Sequence, residues 1–276
     1  MASNIAPIGM IAGTGDLPQR ILRACSSQGR DVFIIAIKGQ TPTALVEGQK
    51  HLWCRIGAVG QAMDALRAEG ISDIVMAGGV TRPSLPSLMP DSMGRALLKR
   101  IGGSLIAGDD ALLSRIVAFF EEQGFRMLRI ADVTDTLTAD LGVMTHTHPS
   151  AQARNDAKRG YDILMTLSPY DLGQAIIVSH GHVLGIEAVE GTAALLQRCA
   201  HYPHAHGAVL VKLPKQGQSE QVDMPAVGLE TVEALHHGGY AGMMLAAHKG
   251  VMIDKTEMIA RANDYSLFIE GMMVGA

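Results

Sequence analysis

The sequence predicts an α/β fold in two domains, a doubly wound parallel sheet followed by a mixed α/β domain. Three observations predict it. Apolar runs without polar alternation recur through the first half, as in Asp31–Ile37 (DVFIIAI) and Asp73–Ala77 (DIVMA), the pattern of parallel strands covered on both faces. Segments of helical apolar spacing separate these runs, which is the rhythm of βαβ units. Glycines close two of the runs, at Gly13-Thr14-Gly15 and Gly78-Gly79, where the chain must turn sharply.

The elements follow in order. Ile5–Ala12 reads as the first strand and Leu17–Gln28 as a helix. Asp31–Ile37 and Leu52–Ile56 read as strands, and Gly60–Glu69 as a helix with Ala62, Met63 and Leu66 on one side. Asp73–Ala77 is the next strand. Asp109–Gln123 is a helix that Asp109 or Asp110 can cap, with Leu112, Ile116, Phe119 and Phe120 on one face and Gly124 as its stop. Met127–Asp132 closes the series, giving a Rossmann-like domain over residues 1–132. The pattern then lapses in a stretch holding Thr134, Thr136, Thr138, Thr145 and Thr147, so 133–150 is expected to be the connection. The second domain, 151–276, opens with a helix at Ala151–Leu167. Strands Ala175–Ser179 and His182–Ala188 flank His180-Gly181, a two-residue hairpin signal. Helix Thr192–Ala200, strand Ala208–Leu213, helix Leu229–His237 and strand Ala241–Ala247 follow.

Composition excludes several functions. A chain of 276 residues, 47% apolar and with a formal charge of −4, buries a sizeable core and is not disordered. It lacks the cationic field that nucleic acid requires, and an aromatic share of 4% leaves no base-stacking platform. Cys25, Cys54 and Cys199 form no CxxC pair and suit free thiols in a reducing compartment. Met1–Pro7 has no basic segment, and no apolar run is long enough to span a bilayer. The expected location is the cytoplasm, with contact at a membrane surface left open.

Glycine loops after strands suit an anion, because early helix amides point outward there. Gly13-Thr14-Gly15 is one such loop, and Gly78-Gly79-Val80-Thr81-Arg82-Pro83 adds a cation to a second. A nicotinamide cofactor is disfavoured: Pro18 stands at the third small position of the dinucleotide fingerprint, and Ile37-Lys38 ends the second strand without a ribose-binding acid. The loop from Lys212 to Gly228 (KLPKQGQSEQVDMPAVG) carries two lysines and Asp223. Asp223 either caps a turn or serves as a carboxylate for a divalent cation or a water. Glu187, Glu190 and Thr192 surround Gly191, where two acids aimed at one crevice would suit Mg²⁺. The HxH pairs His146/His148 and His180/His182, and the cluster His201, His204 and His206, have no nearby acid or cysteine to complete a zinc set. The 16 methionines suit core filling or a deformable wall for an acyl chain, and no GxSxG elbow is present.

From residue 8 to the C-terminus the chain resembles the LpxI type of metal-dependent UDP-2,3-diacylglucosamine pyrophosphatase of the lipid A pathway. The segments that carry the resemblance are GMIAGTGDLP at 9–18, DIVMAGGVTRP at 73–83, IAGDDALL at 106–113, DLGQAIIV at 171–178, GIEAVEGT at 185–192 and KLPKQGQSEQVDMPAVGLETVE at 212–233. The resemblance implies a two-domain enzyme that binds its substrate in the crevice between domains. It implies hydrolysis to UMP and 2,3-diacylglucosamine 1-phosphate (lipid X), by water attacking the phosphorus next to uridine with Mg²⁺ or Mn²⁺ assisting. Asp223 takes the place of the family's essential aspartate, for metal or water, and Glu190 is a second candidate metal ligand. Gly13, Thr14, Gly15, Gly78, Gly79, Thr81, Arg82, Gln174, Thr192 and Lys212 are the expected substrate contacts, and Leu85, Leu88 and Met89 are candidates for an acyl-chain wall. The implied partner is the UDP-linked diacylated glucosamine, with transient contact at the inner membrane and the question of a homodimer left open. Three positions depart from the pattern: Ser219 stands where an aspartate is expected, Gln221 where an arginine is, and Ala193 where an acid is. Two other readings therefore stay open, a divergent nucleotide- or lipid-binding paralogue and an NAD(P) oxidoreductase.

Overall fold

A computed structural model describes residues 5–81, 88–102, 109–170, 172–216, 221 and 224–275. The chain forms two compact units that divide between Thr134 and Asp135.

The first unit is built on strands β1 (Ile8–Ala12), β2 (Val32–Ile37), β3 (His51–Cys54), β4 (Asp73–Ala77) and β5 (Arg126–Leu128). They run parallel in the order β3-β2-β1-β4-β5. The chain winds outward from β1 in one direction and returns beside it with β4, which makes the β1/β4 boundary a topological switch point. Helices α1 (Leu17–Ser27), α2 (Thr43–Val46), α3 (Val59–Ala68), α4 (Ser92–Ile101), α5 (Asp109–Glu122) and α6 (Ile130–Val133) fill the connections. One face of the sheet packs Phe33, Ile35 and Ile74 against Met63, Leu66, Leu97 and Phe120 of α3, α4 and α5. The other is covered by α1, which buries Ile21, Leu22 and Cys25.

Two differences from expectation have local causes. Met127–Asp132 is a strand only as far as Leu128, because the Asp132 carboxylate folds back to accept the backbone N–H of Arg129 at 2.9 Å and starts α6. Helix α4 was not apparent in the apolar spacing. It is set by its N-cap, where Asp91 Oδ1 accepts the Gly94 N–H at 2.7 Å while Oδ2 accepts that of Gln61 at 3.1 Å.

The second unit carries a six-stranded mixed sheet. Its strands are β6 (Gly142–Val143), β7 (Ala175–Ser179), β8 (His182–Ile186), β9 (Val209–Lys212), β11 (Gly242–Ala246) and β13 (Phe268–Met272), in the order β6-β13-β11-β9-β7-β8. Strands β9, β11 and β13 are parallel, and β6, β7 and β8 run antiparallel to their neighbours. Helix α7 (Ala151–Leu167) covers one face over Ile176, Val211 and Phe268. Helices α8 (Gly191–Cys199), α9 (Leu229–His237) and α10 (Lys255–Asp264) cover the other, over Ile177, Leu210, Met243 and Ile269. A short parallel pair, β10 (Ala226–Val227) and β12 (Val251–Met252), stands apart from this sheet.

The stretch expected to connect the domains is instead largely part of the second unit. Ala139 lies in the core, β6 pairs with β13, and the Thr145 hydroxyl accepts the Ile269 N–H at 3.0 Å. Thr145 stitches a strand edge there rather than belonging to a tether. His180 and Gly181 both have positive φ, 50° and 79°, so the hairpin turn is of the primed type that the sequence signals. Asp156 of α7, only 2% exposed, accepts both turn amides at 2.8 and 2.7 Å. The three cysteines are buried free thiols. No helix among the described residues is long and apolar enough to cross a membrane.

Candidate functional site

In the first unit the candidate site is made of backbone. The carboxyl ends of β1 and β4 meet at the switch point, and their loops are laced together. The Gly13 N–H donates to the Ala77 carbonyl at 2.8 Å, Thr14 N–H to the Gly79 carbonyl at 2.7 Å, and Gly79 N–H to the Thr14 carbonyl at 3.0 Å. This lacing requires glycine. A Cβ on Gly13 would stand 2.2 Å from the Gly79 oxygen, and one on Gly78, whose φ is +89°, would stand 2.3 Å from the Thr14 oxygen. Thr14, Gly15, Gly78, Gly79 and Thr81 are all exposed at this edge. The Thr14 hydroxyl, expected to meet the substrate, donates to the Gly79 carbonyl at 3.0 Å and so reinforces the loop.

Two residues at this edge were missed from sequence. Gln40 Oε1 accepts the Thr81 N–H at 3.1 Å. Thr41, buried, donates its hydroxyl to the Ala12 carbonyl at 2.5 Å and accepts the Ile37 N–H at 2.8 Å, fixing the end of β2 to the end of β1. Gly39, with φ of +77°, marks the turn that carries them, but no apolar period singles out either one. Pro18 occupies the first turn of α1, and Lys38 follows β2. Arg82 and Leu85 lie outside the described residues. Leu88 is turned inward at 9% exposure, whereas Met89 is exposed.

In the second unit the candidate site is made of side chains. Lys212 ends β9, buried at 7% exposure. Its ammonium donates to Thr192 Oγ1 at 2.5 Å, and Thr192 donates in turn to Glu187 Oε1 at 2.6 Å. Glu187 Oε2 accepts the Gln174 backbone N–H at 2.7 Å. Three of the expected contacts, Gln174, Thr192 and Lys212, are thus brought together, through an acid that the resemblance did not assign. A buried cation and a buried anion are thus linked through a hydroxyl, which offsets part of the cost of burying each charge.

Glu187 and Glu190 do not aim at one crevice as expected. Glu187 points inward, while Glu190 sits at the exposed N-cap of α8. Arg198 binds Glu190 Oε1 at 2.7 Å and the Ala188 N–H reaches Oε2 at 3.1 Å, and the guanidinium bond holds the carboxyl below its ordinary range. Among the described residues no group of three or more His, Cys, Asp or Glu is placed to hold a metal ion. The His182 and His204 rings stack at 6.1 Å without an acid to complete a set. Asp223 and Ser219 lie outside the described residues, as do the side chains of Asp109 and Asp110. Ala193 is exposed in the first turn of α8.

The sequence comparisons agree along nearly the whole chain. The LpxI N-terminal domain matches residues 7–137 and the LpxI C-terminal domain residues 140–270. A protein of Caulobacter vibrioides named UDP-2,3-diacylglucosamine pyrophosphatase LpxI is 33% identical over 272 residues, covering 96% of this chain and 97% of its own. Among solved structures, the biotin carboxylase domain of Hydrogenobacter thermophilus 2-oxoglutarate carboxylase covers 83% of this chain and 40% of its own at 11% identity. Its TM-score of 0.25 is too low to relate the folds.

Proposed function

The chain belongs to the LpxI family, and from that premise we propose that it hydrolyses the diphosphate of UDP-2,3-diacylglucosamine to UMP and 2,3-diacylglucosamine 1-phosphate, a step of lipid A biosynthesis. The observation that carries this reading is collinearity: both family domains match in order, and the named relative aligns nearly end to end. Water attacks the phosphorus next to uridine, and the bond from that phosphorus to the bridging oxygen breaks. UMP carries the new oxygen, the sugar phosphate leaves, and the water gives up a proton.

Such a displacement needs charge stabilisation more than covalent chemistry. In the first unit, a phosphate would meet the loops at Gly13–Gly15 and Gly78–Thr81 through amides other than those of Gly13, Thr14, Gly79 and Thr81, which bond within the loops, with Arg82 as the cation. In the second unit, the Lys212 ammonium suits phosphate oxygens as negative charge builds, and Thr192 and Gln174 belong to the same cluster. Asp223, by its place in the family's motif, directs the attacking water or binds the cation.

Mg²⁺ or Mn²⁺ would polarise a phosphoryl oxygen when bound. The described side chains do not assemble a site for it, because both oxygens of Glu190 are engaged by Arg198 and Ala188. The two acyl chains of the substrate tie the reaction to the cytoplasmic surface of the inner membrane. Exposed Tyr170, Leu172 and Val189, which flank Gln174 and Thr192 along the chain, support transient contact there.

The test is release of UMP from the lipid substrate by the full chain with Mg²⁺ supplied. Asp223→Ala is expected to lower kcat by at least roughly 100-fold with the fold retained, the scale of losing one transition-state contact. EDTA is expected to stop turnover and added Mn²⁺ to restore it. Full activity in Asp223→Ala overturns the role of Asp223. Lipid binding without UMP release by the unmodified chain replaces the hydrolase with a binding paralogue, and tight binding of NAD(H) replaces it with an oxidoreductase.

A further inference from the structure

Glu187 has no role in the family resemblance, yet its side chain ties three separate segments together. Its oxygens accept from the Gln174 backbone at 2.7 Å and the Thr192 hydroxyl at 2.6 Å. Its own N–H donates to the Ala175 carbonyl at 2.8 Å, and its carbonyl accepts from Gly173 at 3.1 Å. Gly173 lies so close that a Cβ there would sit 2.5 Å from the Glu187 Cβ. Stem and carboxylate are therefore held by the neighbouring strand, with little room to rotate.

The consequence passes along the chain of hydrogen bonds. A threonine hydroxyl has one proton. Having donated it to Glu187, Thr192 meets the Lys212 ammonium with a lone pair, as the 2.5 Å contact requires. A neutral amide at position 187 would break this arrangement. It has one acceptor oxygen and one NH₂ group, so on a stem held in place it offers an acceptor to Gln174 or to Thr192 and an N–H to the other, where the carboxylate offers an acceptor to both. With an N–H facing it, Thr192 loses the acceptor for its proton, which is then free to turn toward the ammonium.

We infer that Glu187 is a positioning residue: acting through the Thr192 hydroxyl, it fixes the place of the Lys212 ammonium. Its kinetic consequence rests on the hydrolase reading above, whereas its structural consequence does not.

Two measurements on the full chain separate these. The side-chain ¹⁵N–¹H signal of Lys212, assigned by its loss in Lys212→Met, reports an ammonium held long enough to exchange slowly with water. It is expected in the unmodified protein and absent in Glu187→Gln and Thr192→Val. Its persistence in Glu187→Gln, or its absence from the unmodified protein, overturns the inference. In the hydrolysis assay, Glu187→Gln and Thr192→Val are each expected to lower kcat/KM by roughly 10- to 100-fold, the scale of a catalytic group misplaced by about an ångström. Thr192→Ser, which keeps the hydroxyl, is expected to recover most of the loss seen in Thr192→Val. In a Lys212→Met background, Glu187→Gln is expected to change kcat/KM by less than about two-fold, since it acts through Lys212. A further large drop in that background overturns the inference. If Glu187→Gln does not fold, Thr192→Val leaves the bond to Gln174 intact and carries both readings. If the unmodified chain releases no UMP, the hydrolase reading fails and the ammonium signal alone decides the positioning role.

Discussion

The two candidate sites are built from different materials. At the β1/β4 edge the donors are backbone amides, and the residues are glycines because two loops approach within a carbonyl's width of each other. At the end of β9 the donors and acceptors are side chains, and Lys212, Thr192, Glu187 and Gln174 come from four places along the chain. A backbone site is rigid by exclusion: nothing larger fits. A side-chain site is rigid by mutual satisfaction, each group held because its neighbour uses the available proton or lone pair. The first is sensitive chiefly to a change in size, whereas the second is sensitive as well to a change of charge or hydrogen-bonding sense.

Gly78→Ala tests the first half of that contrast most severely. The added methyl meets the Thr14 oxygen at 2.3 Å on a backbone with φ of +89°, so both sterics and conformation oppose it. A loss of stability of about 3 kcal/mol or more is expected, read from urea unfolding, with hydrogen exchange faster at Gly13–Gly15 than elsewhere. A variant as stable as the parent would show that the lacing is not rigid.

Asp156→Ala sharpens the second half, away from the candidate site. The buried carboxylate serves the amides of His180 and Gly181, so its removal strands two donors at the hairpin turn. The expected loss is about 1 to 3 kcal/mol. Asp156→Asn should recover part of it, because the amide oxygen still accepts while its NH₂ does not.

The smallest expected effect is in pH dependence. Burial pushes the Cys54 thiol from 9.0 up to about 11, against a smaller opposing pull from Lys38. The unfolded chain therefore loses this proton first. The stability contributed by the neutral buried thiol is complete below pH 9 and is lost as pH rises through about 11. The amount is on the order of 2 kcal/mol after allowance for partial exposure to solvent. Urea midpoints at pH 8 and 10.5 should diverge less in Cys54→Ala than in the parent; equal slopes would remove Cys54 from the account.

Legibility followed the same division. Gly15 and Gly78 announce themselves because a positive φ favours glycine, and Gly13 because a Cβ would strike the Gly79 oxygen, all within strand-to-helix turns that are local events. His180-Gly181 is readable for the same reason. Spacing alone gives Glu187 and Glu190 the same standing, as two acids beside one crevice. Only the packing of Gly173 against Glu187, and of Arg198 against Glu190, sends one carboxylate inward and the other out. Asp91 and Asp132 fall between these cases: each starts a helix through a bond to an amide three residues away, but neither carries an apolar period that would announce it.

The sequence by itself determined the alternation of strands and helices, the parallel character of the first sheet and the glycine loops, because these depend on periodicity and backbone freedom that act over a few residues. Its similarity to the LpxI family, spread over the whole chain, determined the family as well. Tertiary structure alone decided that 135–150 belongs to the second unit, that Thr14 serves its own loop, and that Glu187, Thr192 and Lys212 form one chain of hydrogen bonds. Those outcomes depend on which distant groups share a buried proton, and no local pattern records such a choice.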